Sequence, residues 1–517
     1  MSDNQNLYAA LRGAFPADLD TIAIETGDGE PLAYTWRDLD RASAMLANLL
    51  ASLELPAGAR VAVQTEKSVE ALMLYLAVLR AGFVYLPLNT AYQSAEIAYF
   101  IGNAEPSVVV CSGKNFQWVS RIAFTAGTAH VFTLNEDRSG SLLQRAAAHS
   151  DEQVPVPRSA DDLAAILYTS GTTGRSKGAM LTHGNLLSNA RTLKDYWGWR
   201  TAEDGGDVLI HALPIFHVHG LFVASHGALL NGSRMIWFAK FDPKAVIARL
   251  PDATVFMGVP TLYVRLLGEA ALTRDACRHM RLFISGSAPL LIETFEAFRE
   301  RTGHTILERY GMSETVMLTS NPYRPEDGER RGGTVGHPLP GVGLRIVDET
   351  GAPVAAGEIG QIQVRGPNVF AGYWRMPEKT KEEFSADGWF KTGDVGRISA
   401  DGYLTIVGRS KDLIISGGYN VYPAEVEGVI NELPGVAESA VVGVPHPDFG
   451  EAVIAIVVPR AGAAAPDAEA MVATLKARIA NFKVPKRVFV ADELPRNTMG
   501  KVQKNLLRDA HRALFAG

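Results

Sequence analysis

The sequence predicts an α/β protein in two parts. A large N-terminal domain of doubly wound sheets plus a distorted β-barrel is followed by a small α+β C-terminal domain. Three observations carry this. At 517 residues the chain exceeds what one hydrophobic core can hold. Short apolar, β-branched runs alternate with helical patterns through most of its length, the order of a parallel sheet covered on both faces. Beyond about residue 330 the texture turns Gly- and Pro-dense, and a final mixed unit follows.

In chain order the strand-like runs are RVAVQT (60–65), FVYLPLN (83–89), SVVVCS (107–112), DVLIHALP (207–214), ATVFMGVP (253–260) and RLFISGS (281–287). Amphipathic stretches such as SVEALMLYLAVLRAG and LIETFEAFRERTG separate them and predict helices. GLRIVDE and IGQIQVRG then alternate polar with apolar, which predicts antiparallel or barrel-like structure. The last unit starts near GRSKDLIISGGYNVYP and contains AEVEGVINEL, ESAVVGVP, VIAIVVPR, MVATLKARIANF and RVFVADEL. No long linker separates it, so the expected division is 1–410 and 411–517 with a short hinge between. The Ala-rich AGAAAPDAEA (461–470) reads as a loop.

Composition narrows the function classes. With 47% hydrophobic and 21% charged residues, the chain is neither disordered nor fibrous. A net charge of −6 gives no reason to expect nucleic acid or an anionic membrane as partner. Two cysteines, Cys111 and Cys277, make neither a disulfide framework nor a metal-ligand pattern. No secretory signal, membrane-span run or lipidation motif is visible, so the expected location is cytoplasmic.

The stretch ILYTSGTTGRSKGAM (166–180) is the most informative. Thr169, Ser170, Gly171, Thr172, Thr173 and Gly174 offer hydroxyls and glycine amides that can wrap a phosphate chain, and Lys177 adds a mobile positive charge. It is not a P-loop, because Ser176 precedes Lys177 and Gly178 follows it.

YTSGTTGRSKG resembles the signature loop of the adenylate-forming superfamily, which includes acyl-CoA synthetases, luciferases and peptide-synthetase adenylation domains. LRAGFVYLPLN before it, and LPIFHVHG, ISGSAPL, ERYGMSE, WFKTGD, GRSKDLIISGG and PRNTMGK after it, appear in the family's order, so the resemblance runs nearly end to end. It implies ATP attacked at its α-phosphorus, with pyrophosphate as the leaving group and Mg²⁺ and CoA as further requirements.

The resemblance also assigns residues. Glu314 is the candidate Mg²⁺ ligand, a carboxylate suited to a hard cation. Ser313 stands where the family usually has Thr and keeps a hydroxyl for the α-phosphate. Tyr310 is expected against adenine, with Gly286, Ser287 and Ala288 along the base's edge, and Glu308, Arg309, Gly311 and Met312 complete the nucleotide segment. Asp394 and Arg409 are expected on the ribose, since a carboxylate accepts from two adjacent hydroxyls. Lys411 occupies the hinge position, and Lys501 matches the family's catalytic lysine. Gly417, Gly418 and Tyr419 are expected along the pantetheine arm of CoA.

Within this superfamily the chain looks most like malonyl-CoA synthetases, through TEKSVEALMLYLAVLRAG, HALPIFHVHGLFVAS, MGVPTLYVRLL and NVFAGYWRMPEKT. No acidic residue stands in LPIFHVHG to hold a substrate ammonium, and no carrier-protein motif ends the chain. Malonate, with methylmalonate next, is the expected acid. Another short acid, or a carrier protein as acceptor, is the alternative. A non-catalytic nucleotide binder is disfavoured because Lys501, Glu314 and Asp394 are all present. A buried distal carboxylate needs a cation. The first candidate is Arg281, with His217 and Ser285 beside it, and His219, Arg265 or Arg331 are next in line.

Overall fold

The computed structural model describes residues 4–169, 176–417, 419–463, 466–497 and 500–515. The chain divides into two compact units, Met1–Gly343 with Arg365–Gly388, and Leu344–Val364 with Trp389–Gly517. This division groups the antiparallel sheet described below with the C-terminal elements, whereas the sequence reading placed its boundary at the Ser410–Asp412 turn.

The N-terminal unit holds a seven-stranded and a nine-stranded sheet. In the first, Arg60–Gln64, Val84–Pro87, Val108–Cys111 and His130–Thr133 run parallel. In the second, Val208–His211, Arg234–Trp237, Val255–Gly258, Leu282–Ser285 and Leu307–Met312 run parallel, with antiparallel pairings at both edges. The central strands are buried along their length, which is why they read as continuous apolar runs. Parallel strands deliver their C-terminal ends to one edge, and the loops there carry most candidate residues. Lys67, just beyond the end of Arg60–Gln64, donates from Nζ to the carbonyls of His211 and Phe238 at 2.7 Å each. It thereby ties the corresponding edges of the two sheets together.

The helix Val69–Arg80 begins on Ser68, whose hydroxyl accepts from the Ala71 amide. It is not amphipathic as expected, because all of its residues are buried. Its only charges near the last turn are handled internally: Arg80 donates to the Tyr8 hydroxyl, to Asp40 and to the Gln153 carbonyl.

In the C-terminal unit, Gly343–Val347, Gly360–Arg365, Phe390–Ile398 and Leu404–Arg409 form a four-stranded antiparallel sheet. This is the texture that the alternating segments predicted. A five-stranded sheet follows, built on the long hairpin Val436–His446 and Gly450–Pro459. Both of its faces are apolar. Val441, Val453 and Ala455 pack under helices Pro423–Asn431 and Ala468–Arg478, while Val442, Ile454 and Ile456 pack with Leu507 of Lys504–Ala510. Of the Ala-rich run 461–470, expected as a loop, Ala468, Glu469 and Ala470 instead open the helix Ala468–Arg478, capped by the Asp467 carboxylate, and residues 464 and 465 lie outside the described residues. Among the described residues no helix is long and apolar enough to cross a membrane.

Candidate active site

The signature loop joins the hairpin Leu163–Thr169 and Lys177–Thr182, whose ends pair Thr169 with Lys177. Ser170, Gly171, Thr172, Thr173 and Gly174 lie outside the described residues. Lys177 Nζ stands 3.2 Å from Glu383 Oε1 and 4.3 Å from the centre of the Tyr373 ring. Glu314 lies in the turn between Leu307–Met312 and Val316–Ser320. It is buried, and its Oε1 accepts from the Tyr373 hydroxyl at 2.9 Å.

Ser285 ends its strand and pairs in register with Glu308 on the parallel neighbour. Gly286, Ser287 and Ala288 follow at once. Ser287 takes φ +73°, the left-handed region, a strained choice for a residue with a Cβ. A Cβ on Gly286 would meet the Arg309 guanidinium at 2.5 Å, so only glycine lets that cation lie directly beneath the loop. Ser287 Oγ lies 3.4 Å from His219 Nδ1. His219 opens a single π-helical segment, His219–Ser225, a rare geometry that concentrates at functional sites.

This cluster is electrostatically unusual. Glu308 is buried, accepts the Leu290 amide on Oε1 at 3.1 Å, and has its carboxyl pushed up to about 8 by burial. It is therefore protonated at neutral pH. Arg309 is 2% exposed; burial pulls its guanidinium down to about 9, so it keeps its charge. Its Nε and Nη2 find no hydrogen-bond partner, and neither do Ser285 Oγ and His219 Nε2. Burial, and after it Arg309, hold His219 well below the usual imidazole range and so neutral. A buried cation beside a neutral carboxyl, with unmatched donors around it, is a cradle for an anion. His217 is half-buried, with its ring packed on Phe216.

Arg281 does not fill the role expected of it. Its Nε and Nη2 donate to the two carboxylate oxygens of Asp207 at 2.7 and 2.6 Å, and its Nη1 to the Trp197 carbonyl. It precedes the strand Leu282–Ser285, at the opposite end from Ser285 and Gly286. Of the reserve candidates, Arg265 is exposed in the last turn of Pro260–Leu267 and Arg331 donates to Glu329 at 3.0 Å.

In the C-terminal unit, Asp394 and Arg409 are register partners on adjacent strands, and Arg409 Nε donates to Asp394 Oδ1 at 2.9 Å. The Asp394 side chain is 5% exposed. Lys411 sits in the following turn; burial and then Arg409 pull its ammonium down to about 8, with Lys501 adding to the effect. The Lys501 amide donates to Asn497 Oδ1 at 3.0 Å. Gly417 takes φ +58° and Tyr419 stacks on Phe482 with ring centres 4.6 Å apart, while Gly418 lies outside the described residues.

Family models for the AMP-binding enzyme and for the AMP-binding enzyme C-terminal domain match residues 16–374 and 425–501. The chain belongs to the AMP-binding enzyme family. An ATP-bound MatB crystal structure from Rhodopseudomonas palustris superposes with a TM-score of 0.94 at 54% identity, covering 99% of this chain and 100% of that one. A malonate–CoA ligase of Arabidopsis thaliana is 36% identical over 87% of this chain and 78% of its own length. The mitochondrial malonate–CoA ligase of Homo sapiens is 35% identical over 83% and 79%.

The N-terminal candidates, Thr169 to Glu314, fall inside the first match, and Lys501 is the last residue of the second. Among the described residues no three His, Cys, Asp or Glu side chains gather as a metal cage. One buried carboxylate, Glu314, is instead the donor set that suits Mg²⁺ shared with phosphates. Two residues escaped the sequence reading, Tyr373 and Glu383. The signal for Tyr373 was present in NVFAGYWRMPEKT (368–380), quoted only for its likeness to malonyl-CoA synthetases, while Glu383 lies three residues beyond it.

Proposed function

We propose that this AMP-binding enzyme is an ATP-dependent malonyl-CoA synthetase. It activates malonate to an acyl-adenylate with release of pyrophosphate, then passes the acyl group to CoA with release of AMP. The observation that carries the choice of acid is Arg309, a buried guanidinium with two unmatched donors beside a protonated Glu308. A distal carboxylate would complete that cradle through Nε and Nη2, with Ser285 Oγ and neutral His219 as further partners. A monocarboxylic acid would leave the cation buried and unmatched.

A carboxylate attacking a polyphosphate is opposed by like charge, so the chain's task is electrostatic and needs no general base. Lys177 and the signature loop hold the outer phosphates, and Lys501 neutralises charge developing at the α-phosphate. Glu314 would hold Mg²⁺, which polarises and neutralises phosphate oxygens when bound. Tyr310 with Gly286, Ser287 and Ala288 receives adenine. The Asp394–Arg409 pair receives the ribose, and its mutual ion pair keeps both side chains set for that contact. Lys411 is the pivot about which residues 411–517 turn between the two half-reactions, and Gly417, Gly418 and Tyr419 pass the pantetheine arm. The reading places the enzyme in the cytoplasm, supported by two buried unpaired thiols, Cys111 and Cys277.

The deciding experiment offers ATP, Mg²⁺ and CoA with a panel of mono- and dicarboxylic acids and measures product masses. Malonyl-CoA with equimolar AMP and pyrophosphate is expected. Stoichiometric ADP would overturn adenylation, and equal turnover of propionate and malonate would overturn the diacid assignment.

A further inference from the structure

We propose that Tyr373 is a positioning residue that sets both the metal carboxylate and the phosphate lysine. It rests on the reading of Glu314 and Lys177 as those two groups. One side chain touches both. The Tyr373 hydroxyl donates to Glu314 Oε1 at 2.9 Å, and its ring face lies 4.3 Å from Lys177 Nζ.

Local sequence explains how. The short strand Gly372–Tyr373 pairs antiparallel with Lys177–Thr182, placing Tyr373 opposite Ala179. Side chains two apart on a strand share a face, so Lys177 is the diagonal neighbour of Tyr373, within reach of an aromatic ring. The Phe370 amide donates to the Glu314 carbonyl at 2.8 Å, which brings the same segment against the metal carboxylate. Gly372 at φ +128° presses on the Thr380 methyl, 2.8 Å from where its Cβ would stand, and Thr380 Oγ1 accepts the Tyr373 amide. The Phe370 ring packs edge-on against Tyr373 at 4.8 Å. Tyr373 is 3% exposed, and its backbone and ring are held from several sides.

The chemistry follows from what each half of the side chain offers. A hydroxyl bond to one carboxylate oxygen fixes the rotation of Glu314 and so the direction of its other lone pairs toward a cation. The ring face attracts the Lys177 ammonium without neutralising it, as a carboxylate would. Glu383 holds the same ammonium at 3.2 Å and is itself shared with Lys379. Lys177 is thus poised between a ring and a shared carboxylate, where incoming phosphate can outcompete the latter.

The test separates metal from nucleotide and does not depend on turnover. Mn²⁺ binding to the protein with a non-hydrolysable α,β-methylene ATP analogue is measured by electron paramagnetic resonance. Analogue binding without metal is measured by calorimetry in the presence of chelator. Tyr373→Phe keeps the ring and removes the hydroxyl. It is expected to weaken Mn²⁺ about ten-fold and leave metal-free analogue binding within about two-fold. Tyr373→Leu removes both contacts and should weaken metal-free binding as well, by roughly three-fold or more. Glu314→Gln is the control for the underlying reading. If it loses Mn²⁺ binding while Tyr373→Phe binds as wild type, the positioning role is overturned. If Tyr373→Phe loses both affinities together with a lowered melting temperature, its role is structural and the proposal is equally overturned. If Glu314→Gln binds Mn²⁺ normally, the metal assignment fails and takes the proposal with it.

Discussion

The guanidinium of Arg281 closes on the carboxylate of Asp207 in a two-pronged ion pair, with side-chain exposures of 9% and 0%. It joins the start of one strand to the start of its neighbour but one, at the end of the sheet opposite Ser285 and Gly286. Arg281→Ala should therefore act on the fold. Stranding a buried carboxylate costs about 3–5 kcal/mol, and the residual activity toward malonate and propionate should fall in equal proportion. Thermal melts and steady-state kinetics with both acids check this. The pair also predicts an acid sensitivity. Burial alone would raise Asp207, but Arg281 outweighs it and the carboxyl is held below its ordinary value. The pair's stabilisation is then complete above about pH 4 and is lost as pH falls through the depressed value.

Arg309 carries the opposite expectation. Arg309→Ala should lower kcat/KM for malonate by roughly three decades, as expected for a desolvated cation–carboxylate pair. Propionate should suffer much less, so the two acids converge. Arg309→Lys should recover only part of the loss, because an ammonium cannot reproduce the fork of Nε and Nη2. A variant that loses both acids alike would remove Arg309 from substrate recognition.

Glu308 predicts a pH dependence of stability. Its folded-state value is raised to about 8 by burial, against an ordinary value of about 4.3. The folded protein thus holds a proton that the unfolded chain releases, and stability falls as pH rises between those values. Glu308→Gln should flatten this slope, leaving the variant relatively more stable toward pH 8 in melts across the range. Between about pH 8 and the value of about 9 to which burial pulls Arg309, the ionised Glu308 would also compete for Arg309, so kcat/KM for malonate should decline earlier in the wild type than in the variant.

Lys501→Ala should nearly abolish adenylate formation yet spare thioester formation from a supplied malonyl-adenylate. Lys411→Pro should do the reverse, since proline locks φ at the proposed pivot. Separate assays of the two half-reactions decide it, and equal loss of both steps in both variants would end the account in which residues 411–517 turn about Lys411.

Much of this protein was legible in the sequence because its signals are local. The runs VVVC and LFIS are apolar on both faces because each lies inside a parallel sheet, and that pattern needs no knowledge of partners. The motifs expected at the nucleotide were legible for the same reason: each is a contiguous run, with Gly286 and Ser287 adjacent in ISGSAPL and Asp394 closing WFKTGD. What only the tertiary structure decided was pairing at long range. Read in one dimension, Arg281 was the first candidate cation for the distal carboxylate and Arg309 was assigned to the nucleotide segment. Asp207, 74 residues before Arg281, neutralises the first, while burial protonates the neighbour of the second. Tyr373 reaches Glu314 across 59 residues. Whether a charge is spent or available depends on the partner that folding brings to it, and in a buried site that partner's protonation depends in turn on desolvation, which no local pattern encodes.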